Sequence, residues 1–479
     1  MSAGVTVLKR NATILLPLLL ACTPQADANE EPDSWEDLLE PVAGTRLRPI
    51  VRVADDGTRT HVGWQDTLLD TPCQFTKSSD GELRCLPKST EDSLWLFADA
   101  LCTQPVLQDI NIPPGTTFIR ERALDCSETP FYEVGDAVDT IYYADQGRCE
   151  FFSNDPSHRL IAVADDAFVG ATVTPRAGRS RIVPMLLEAD DGAQQIFGAW
   201  DREHEEEVTA APDQTGQLRW FGRVEPEVSS HYFANADCTQ PVAILSCVPE
   251  SQTPTTARQR EPGICGELTG RYALGELTET VYYKQDNGSC IPDALPTGFK
   301  QRIWRVESRL DDTAFAESST QDGGGERLRH DIYRTPEGAP VLASGRVYDT
   351  QLSDVECRWK DPETHSRDPA PGLGSFDCIP SDAATLSGRY LDSDCTTPTA
   401  TRWVYEESCP GEATHAYGGG LVSEIARSIS SEGRYAHDED NRCQSIGPSE
   451  PPDGGDIDFE WYAVEPATTP AVHATDVIE

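Results

Sequence analysis

Side chains capable of chemistry are plentiful in this sequence, but they do not stand at the spacings that reactions need. His204-Glu205-Glu206-Glu207-Val208 begins as a zinc-binding His-Glu-x-x-His helix would, yet carries Val208 where the second histidine belongs. It reads as a charged hairpin. No Gly-x-Ser-x-Gly elbow, phosphate loop or Gly-x-Gly-x-x-Gly turn occurs, and the nine histidines do not recur at matching positions of the repeats described below. No catalytic residue, metal ligand or cofactor is assigned.

Two weaker constellations remain. Asp55 with Asp56, Asp190 with Asp191, and Asp438 with Asp440 and Asn441 offer the hard oxygens that calcium prefers, but none shows the full alternating spacing with a distal glutamate. Turn residues that bond their own backbone are the expectation, with calcium the alternative. Trp64 with Asp66, Trp200 with Asp201, and Tyr348 with Asp349 place an aromatic face beside a carboxylate three times. Such a pair suits a sugar ring or a cationic group, so these six are the candidate ligand-binding residues.

These candidates recur because the chain repeats itself. Phe97-Ala98-Asp99-Ala100-Leu101-Cys102-Thr103-Gln104-Pro105-Val106 returns as Phe233-Ala234-Asn235-Ala236-Asp237-Cys238-Thr239-Gln240-Pro241-Val242, and more loosely from Tyr390 to Thr399 around Cys395. Flanking segments agree: Asp55-Asp56-Gly57, Asp190-Asp191-Gly192 and Pro336-Glu337-Gly338 lie upstream. Thr140-Ile141-Tyr142-Tyr143 with Cys149 and Thr280-Val281-Tyr282-Tyr283 with Cys290 lie downstream, Cys443 being the third equivalent. The modules are 42–175, 176–321 and 322–479, the third lengthened by a Pro-rich loop around Asp361 to Pro371.

Fifteen cysteines are present with no Cys-x-x-Cys pair, which argues for disulfides rather than a zinc ribbon. Cys73 and Cys85 recur as Cys357 and Cys378, while the middle module has Val208 and Trp220 instead, and joint loss is what a bonded pair predicts. The expected bridges are 73 with 85 and 357 with 378. The remaining expectations are Cys238 with Cys247, Cys265 with Cys290, Cys126 with Cys149 and Cys409 with Cys443, which leaves Cys102 and Cys395 without local partners.

Short β-rich runs dominate, among them Arg46 to Val53, Thr60 to Trp64, Glu82 to Leu86 and Leu160 to Val163, punctuated by Asp-Gly turns. Short helices are expected only near Trp35 to Glu40 and Leu421 to Ile429. The fold class is all-β. Eight or so strands per module suggest a six-bladed β-propeller built from three two-blade modules; three tandem β-sandwich or barrel domains are the alternative.

The N-terminus reads as an export signal. Lys9 and Arg10 precede an apolar run from Ile14 to Leu20, too short to span a bilayer, and then Leu19-Leu20-Ala21-Cys22. This tetrapeptide resembles the bacterial lipobox, which implies cleavage after residue 21, lipidation of Cys22 and, with Thr23 following, sorting to the outer membrane. Residues 22–41 read as an acidic tether. The formal charge of −42 argues against a nucleic-acid partner, whose recognition requires basic surface.

Taken together, Asp80-Gly81, Arg84 to Pro87 and Asp99 to Pro105 resemble the recurring elements of uncharacterised repeat-bearing lipoproteins of myxobacterial type, a likeness that implies no known activity. The expected function is that of a lipid-anchored binding or scaffold module at the cell envelope, taking a glycan or protein ligand. A secreted hydrolase of glycan or peptide and a purely structural envelope protein are the alternatives.

Overall fold

The computed structural model describes residues 39–479 except 88–89, 93–95, 109–115, 122–129, 146–147, 177–179, 247–252, 261–267, 286, 294–300, 353, 361–374, 382–383, 392–393, 396–397, 405–414, 419–420, 430–434, 438–441, 446–457 and 465–468. Cys22, the tether to residue 38, Cys126, Cys247, Cys265, Cys409, Asp438, Asp440, Asn441 and the loop from Asp361 to Pro371 therefore lie outside the described residues.

Asp-Gly and Glu-Gly turns set the rhythm of the chain. Gly57, Gly192 and Gly338 adopt φ of 89°, 92° and 89°, a left-handed conformation that favours glycine. Each turn joins the first two strands of a four-stranded antiparallel wall. The first wall is Leu47–Ala54, Arg59–Asp66, Thr71–Lys77 and Leu83–Pro87. The second is Ile182–Ala189, Gln194–Asp201, Glu206–Pro212 and Leu218–Gly222, and the third Leu328–Arg334, Pro340–Asp349, Val355–Lys360 and Ser375–Pro380.

Three single strands stitch the walls together. Gly170–Pro175 bonds to both the first and second walls, and Val472–Ile478 bonds to both the third and first. Ser319–Asp322 pairs with the third wall, while the residues just before it meet the second, with Trp220 N–H donating to Ala316 O at 2.9 Å and Ser318 N–H to Leu218 O at 2.9 Å. A 15-stranded sheet thus has its two ends joined by backbone hydrogen bonds. Every step round this ring is antiparallel, and an odd number of reversals cannot close a plain up-and-down cylinder. Strand direction must therefore turn at the corners, where apolar clusters sit: Leu47, Trp64, Phe75 and Leu187 at one, Ile182, Val208, Trp220 and Val341 at the next, Leu328, Val347 and Val472 at the third.

Each module also carries a β unit of its own, in sheets of 8, 7 and 8 strands. In the second module, strands Glu227–Phe233, Pro241–Ser246, Gln301–Leu310, Leu268–Leu277 and Thr256–Arg260 bond in that order and close on the first through one parallel pairing. The third module closes in the same order through Ala384–Tyr390, Pro398–Val404, Asp458–Val464, Leu421–Ile429 and His415–Gly418. The first keeps that pairing with its opening strand divided into Thr90–Asp92 and Leu96–Phe97. A hairpin hangs from each unit: Ile141–Asp145 with Arg148–Ser153, Val281–Lys284 with Cys290–Asp293, and Tyr435–His437 with Cys443–Ser445.

All-β architecture holds, but the strands do not group into six four-stranded blades. Hydrogen bonds run from wall to wall, and the small units are closed barrels rather than blades. Leu421–Ile429 is a strand, not a helix. Its leucine and isoleucines at four-residue intervals imitate a helical stripe, but partners at Asp458–Val464 and His415–Gly418 decide the outcome.

Three disulfides brace the hairpins, and they correct the expected pairing. Cys102 bonds Cys149, Cys238 bonds Cys290 and Cys395 bonds Cys443, so Cys149, Cys290 and Cys443 are not joined to Cys126, Cys265 and Cys409, nor Cys238 to Cys247. The first member of each pair is left-handed, with φ of 53°, 49° and 51°. The turns around Cys102 and Cys238 are held by the side chain three residues upstream. Asp99 accepts from the backbone N–H of Leu101 at 2.8 Å and of Gln104 at 2.7 Å, and Asn235 accepts from those of Thr239 and Gln240 at 3.0 Å. This explains the recurrence of Asp/Asn before Cys-Thr-x-Pro. Cys73–Cys85 and Cys357–Cys378 join the third and fourth strands of their walls, and in the second wall Val208 and the fully buried Trp220 fill that space.

Candidate functional site

The three aspartates singled out from the sequence are buried to 0–1% exposure. Each is gripped by an arginine at the start of its wall: Arg46 on Asp66, Arg181 on Asp201, Arg327 on Asp349. Each also accepts a backbone N–H two residues on, from Leu68, Glu203 and Gln351. Their carboxylates are spent on the wall.

The aromatics do not form one platform. Trp64 is two residues before its aspartate, whereas Trp200 and Tyr348 directly precede theirs, and successive residues of a strand point to opposite faces. Trp64 accordingly lies in the core, 1% exposed, its indole N–H donating to Gln195 Oε1 at 2.9 Å. Its counterparts are Ala199 and Val347, set by the pairings of Trp64 with Cys73, Ala199 with Val208 and Val347 with Cys357. Tyr348 lies under the guanidinium of Arg329, 4.8 Å from the ring centroid. Trp200 lines a cavity.

That cavity, about 630 Å³, opens where the first wall meets the second. Its apolar side is Phe75, Leu83, Val173 and Phe197 from the first corner, and its polar side is Glu205, Glu206, Glu207, Arg223 and Lys77, with Thr253 and Pro254 from the second barrel. Arg223 pairs with Glu207 at 3.1 Å and lies 5.7 Å from the Phe197 ring centroid. Glu206 accepts from the Thr255 hydroxyl at 3.0 Å. Burial, with the negative charges of Glu225 and Asp201 beside it, pushes its carboxyl up from the usual range.

The turn carrying these acids repeats in all three walls, which gives an internal comparison. Asp70, Glu205 and Asp354 share the left-handed position, with φ of 48°, 55° and 61°. The next residue is Thr71 in the first wall and Val355 in the third, but Glu206 in the second. Beneath the turn, the first module packs Leu69, Leu86, Phe118, Phe131 and Phe168 between wall and barrel, an apolar joint. In the second module Leu69 is replaced by His204, Phe118 by Thr256 and Phe131 by Arg271. Arg271 pairs with Glu225 at 3.1 Å, both side chains buried, and its guanidinium lies 3.1 Å from the Phe221 ring centroid. His204 Nδ1 is 3.1 Å from both Asp201 Oδ2 and Arg181 Nη2, and its ring lies 5.9 Å from that of Phe315. Among the described residues the third module, like the first, packs apolar side chains here, with Leu352, Val355, Ile379 and Val422 together.

The sequence profile of a family of unknown function (DUF7481) matches residues 40–165 and 148–454. The chain belongs to this family. The two stretches together take in the three walls, the first two barrels and the cavity between the first two walls, so the site described here lies within the family region, while Asp458–Val464 of the third barrel lies beyond it. No curated protein and no solved structure matches the chain.

Calcium finds no support in the aspartate pairs. Asp191 Oδ2 accepts the backbone N–H groups of Arg46 and Leu47 at 2.8 and 2.7 Å, and Asp56 Oδ2 those of Arg327 and Leu328 at 3.0 and 2.5 Å. Both are clamps that hold the start of another wall. Among the described residues no group of three or more His, Cys, Asp or Glu side chains is placed to hold a metal. Glu206 and the polar joint escaped sequence reasoning; the signal available was the substitution of Glu for Thr71 and Val355 in an alignment of the chain with itself.

Proposed function

We propose that this chain is an exported, lipid-anchored binding module of the bacterial cell envelope, tethered through Cys22 to the outer membrane, and that the cavity between its first two walls takes the ligand. One observation carries the reading: a fold repeated three times has, at the joint between wall and barrel in its second module, given up apolar packing for charge beside a cavity lined by Trp200. Burying charge costs stability unless something is gained, and proteins break a local rule mainly where function asks for it. Trp200 supplies the flat, polarisable face that sugar rings and peptide side chains favour.

Glycan and peptide arrays probed with the full chain in detergent, alongside Trp200→Ala, test this. Binding that falls at least about tenfold in the variant, a change of ~1.4 kcal/mol, supports the site, provided the unfolding midpoint is unchanged. Binding indifferent to the substitution removes it. Labelling with radioactive palmitate tests the anchor, and incorporation that persists in Cys22→Ala would overturn it.

A further inference from the structure

We infer, resting on that reading of the cavity, that its ligand presents a cationic nitrogen, a primary ammonium or a guanidinium, to the carboxylates of Glu205 and Glu206 in the cavity that Trp200 also lines. Three observations support this. Glu205, Glu206 and Glu207 face the cavity against two bases, Lys77 and Arg223, and Arg223 is taken by Glu207. Among the described residues Glu206 has a neutral hydroxyl at hydrogen-bond distance and no lysine or arginine pairs with it, while His204 on one side and Glu225 and Asp201 on the other act on it with opposite sign. The cavity already shows how it treats a cation, because the Arg223 guanidinium sits by the Phe197 ring with a carboxylate alongside. An aromatic face and a carboxylate together are a recognised receptor for such groups.

The competing occupant is a neutral sugar, which would stack on Trp200 without needing a half-buried acid that no lysine or arginine pairs. Module symmetry argues against it: a sugar is served as well by Thr71 or Val355 at the Glu206 position, whereas a cation is not. A negative field also draws cations from solution, so association should weaken with salt.

Calorimetric titration of the full chain in detergent with cadaverine and with arginine methyl ester tests the inference, against 1-pentanol and cellobiose as neutral probes. The expected result is binding of both cations, weakened at least about tenfold by Glu206→Gln and lowered by added salt. Should Glu206→Gln fail to fold, Glu206→Thr restores the residue that the first wall carries there and serves in its place. Cadaverine binding unchanged in a folded variant, or absent altogether, overturns the cationic assignment. Cellobiose bound in a Trp200-dependent way without cadaverine overturns it too, yet leaves the cavity as a ligand site; array binding insensitive to Trp200→Ala removes the site itself.

Discussion

Arg46 lays its guanidinium edge-on along the Asp66 carboxylate, Nε to Oδ1 and Nη2 to Oδ2 both at 2.7 Å, and donates a further bond to Ala167 O at 2.7 Å. One arginine therefore binds the end of a wall strand to the turn that leaves the same module's barrel. Arg181 does the same with Asp201 and Ala314 O. The pair is a joint pin, not a site.

Removing one half of such a pair leaves a charge with no partner. Asp66→Ala is expected to cost about 3 kcal/mol, since breaking a buried ion pair is far worse than replacing it whole. The double variant Arg46→Met with Asp66→Leu should recover most of that loss. Urea unfolding of the single and double variants checks it, and an additive double variant would show that the pairing contributes little.

His61 makes stability depend on pH. It packs edge-on against Trp64 at 5.2 Å, its Nε2 is buried without a hydrogen-bond partner, and burial lowers its pKa to about 4. Between about 6.5 and 4 the unfolded chain therefore holds a proton that the folded chain refuses. Stability from this residue is complete above about pH 6.5 and declines as pH falls towards 4, by at most about 3 kcal/mol. His61→Phe should flatten that part of the profile; an unaltered slope would assign it to other groups.

The hairpin disulfides close loops of similar span, with separations of 47, 52 and 48 residues. In the chain-entropy description, replacing Cys102 and Cys149 together by alanine should cost about 4 kcal/mol. Calorimetric melting of that variant measures the loss. A non-reducing peptide map should recover 102 linked to 149, and linkage of 149 to 126 instead would contradict the fold.

Much of this was legible in the residues. Left-handed glycines announce the Asp-Gly turns, and the simultaneous replacement of two cysteines by Val208 and Trp220 points to the wall bridges. What stayed hidden was non-local. Which edge bonds to which is a property of assembled strands, so blades were expected where walls share strands. Cysteine pairing was sought nearby, although the nearly constant interval from Cys102, Cys238 and Cys395 to their partners was the better signal. Trp64 was grouped with Trp200 and Tyr348 because an offset of one residue looks trivial in a sequence, yet in a strand it exchanges inside for outside.

The shared strands between the walls have a consequence for how such a molecule could exist in fewer pieces. A single module on its own would present bare backbone at both margins of its wall, and the surfaces able to satisfy it are those of two more copies of itself. Joining the three in one polypeptide replaces a concentration-dependent meeting by an intramolecular one at millimolar effective concentration. It also frees each copy to diverge, which is how one joint between wall and barrel can carry charge where its sisters pack apolar side chains.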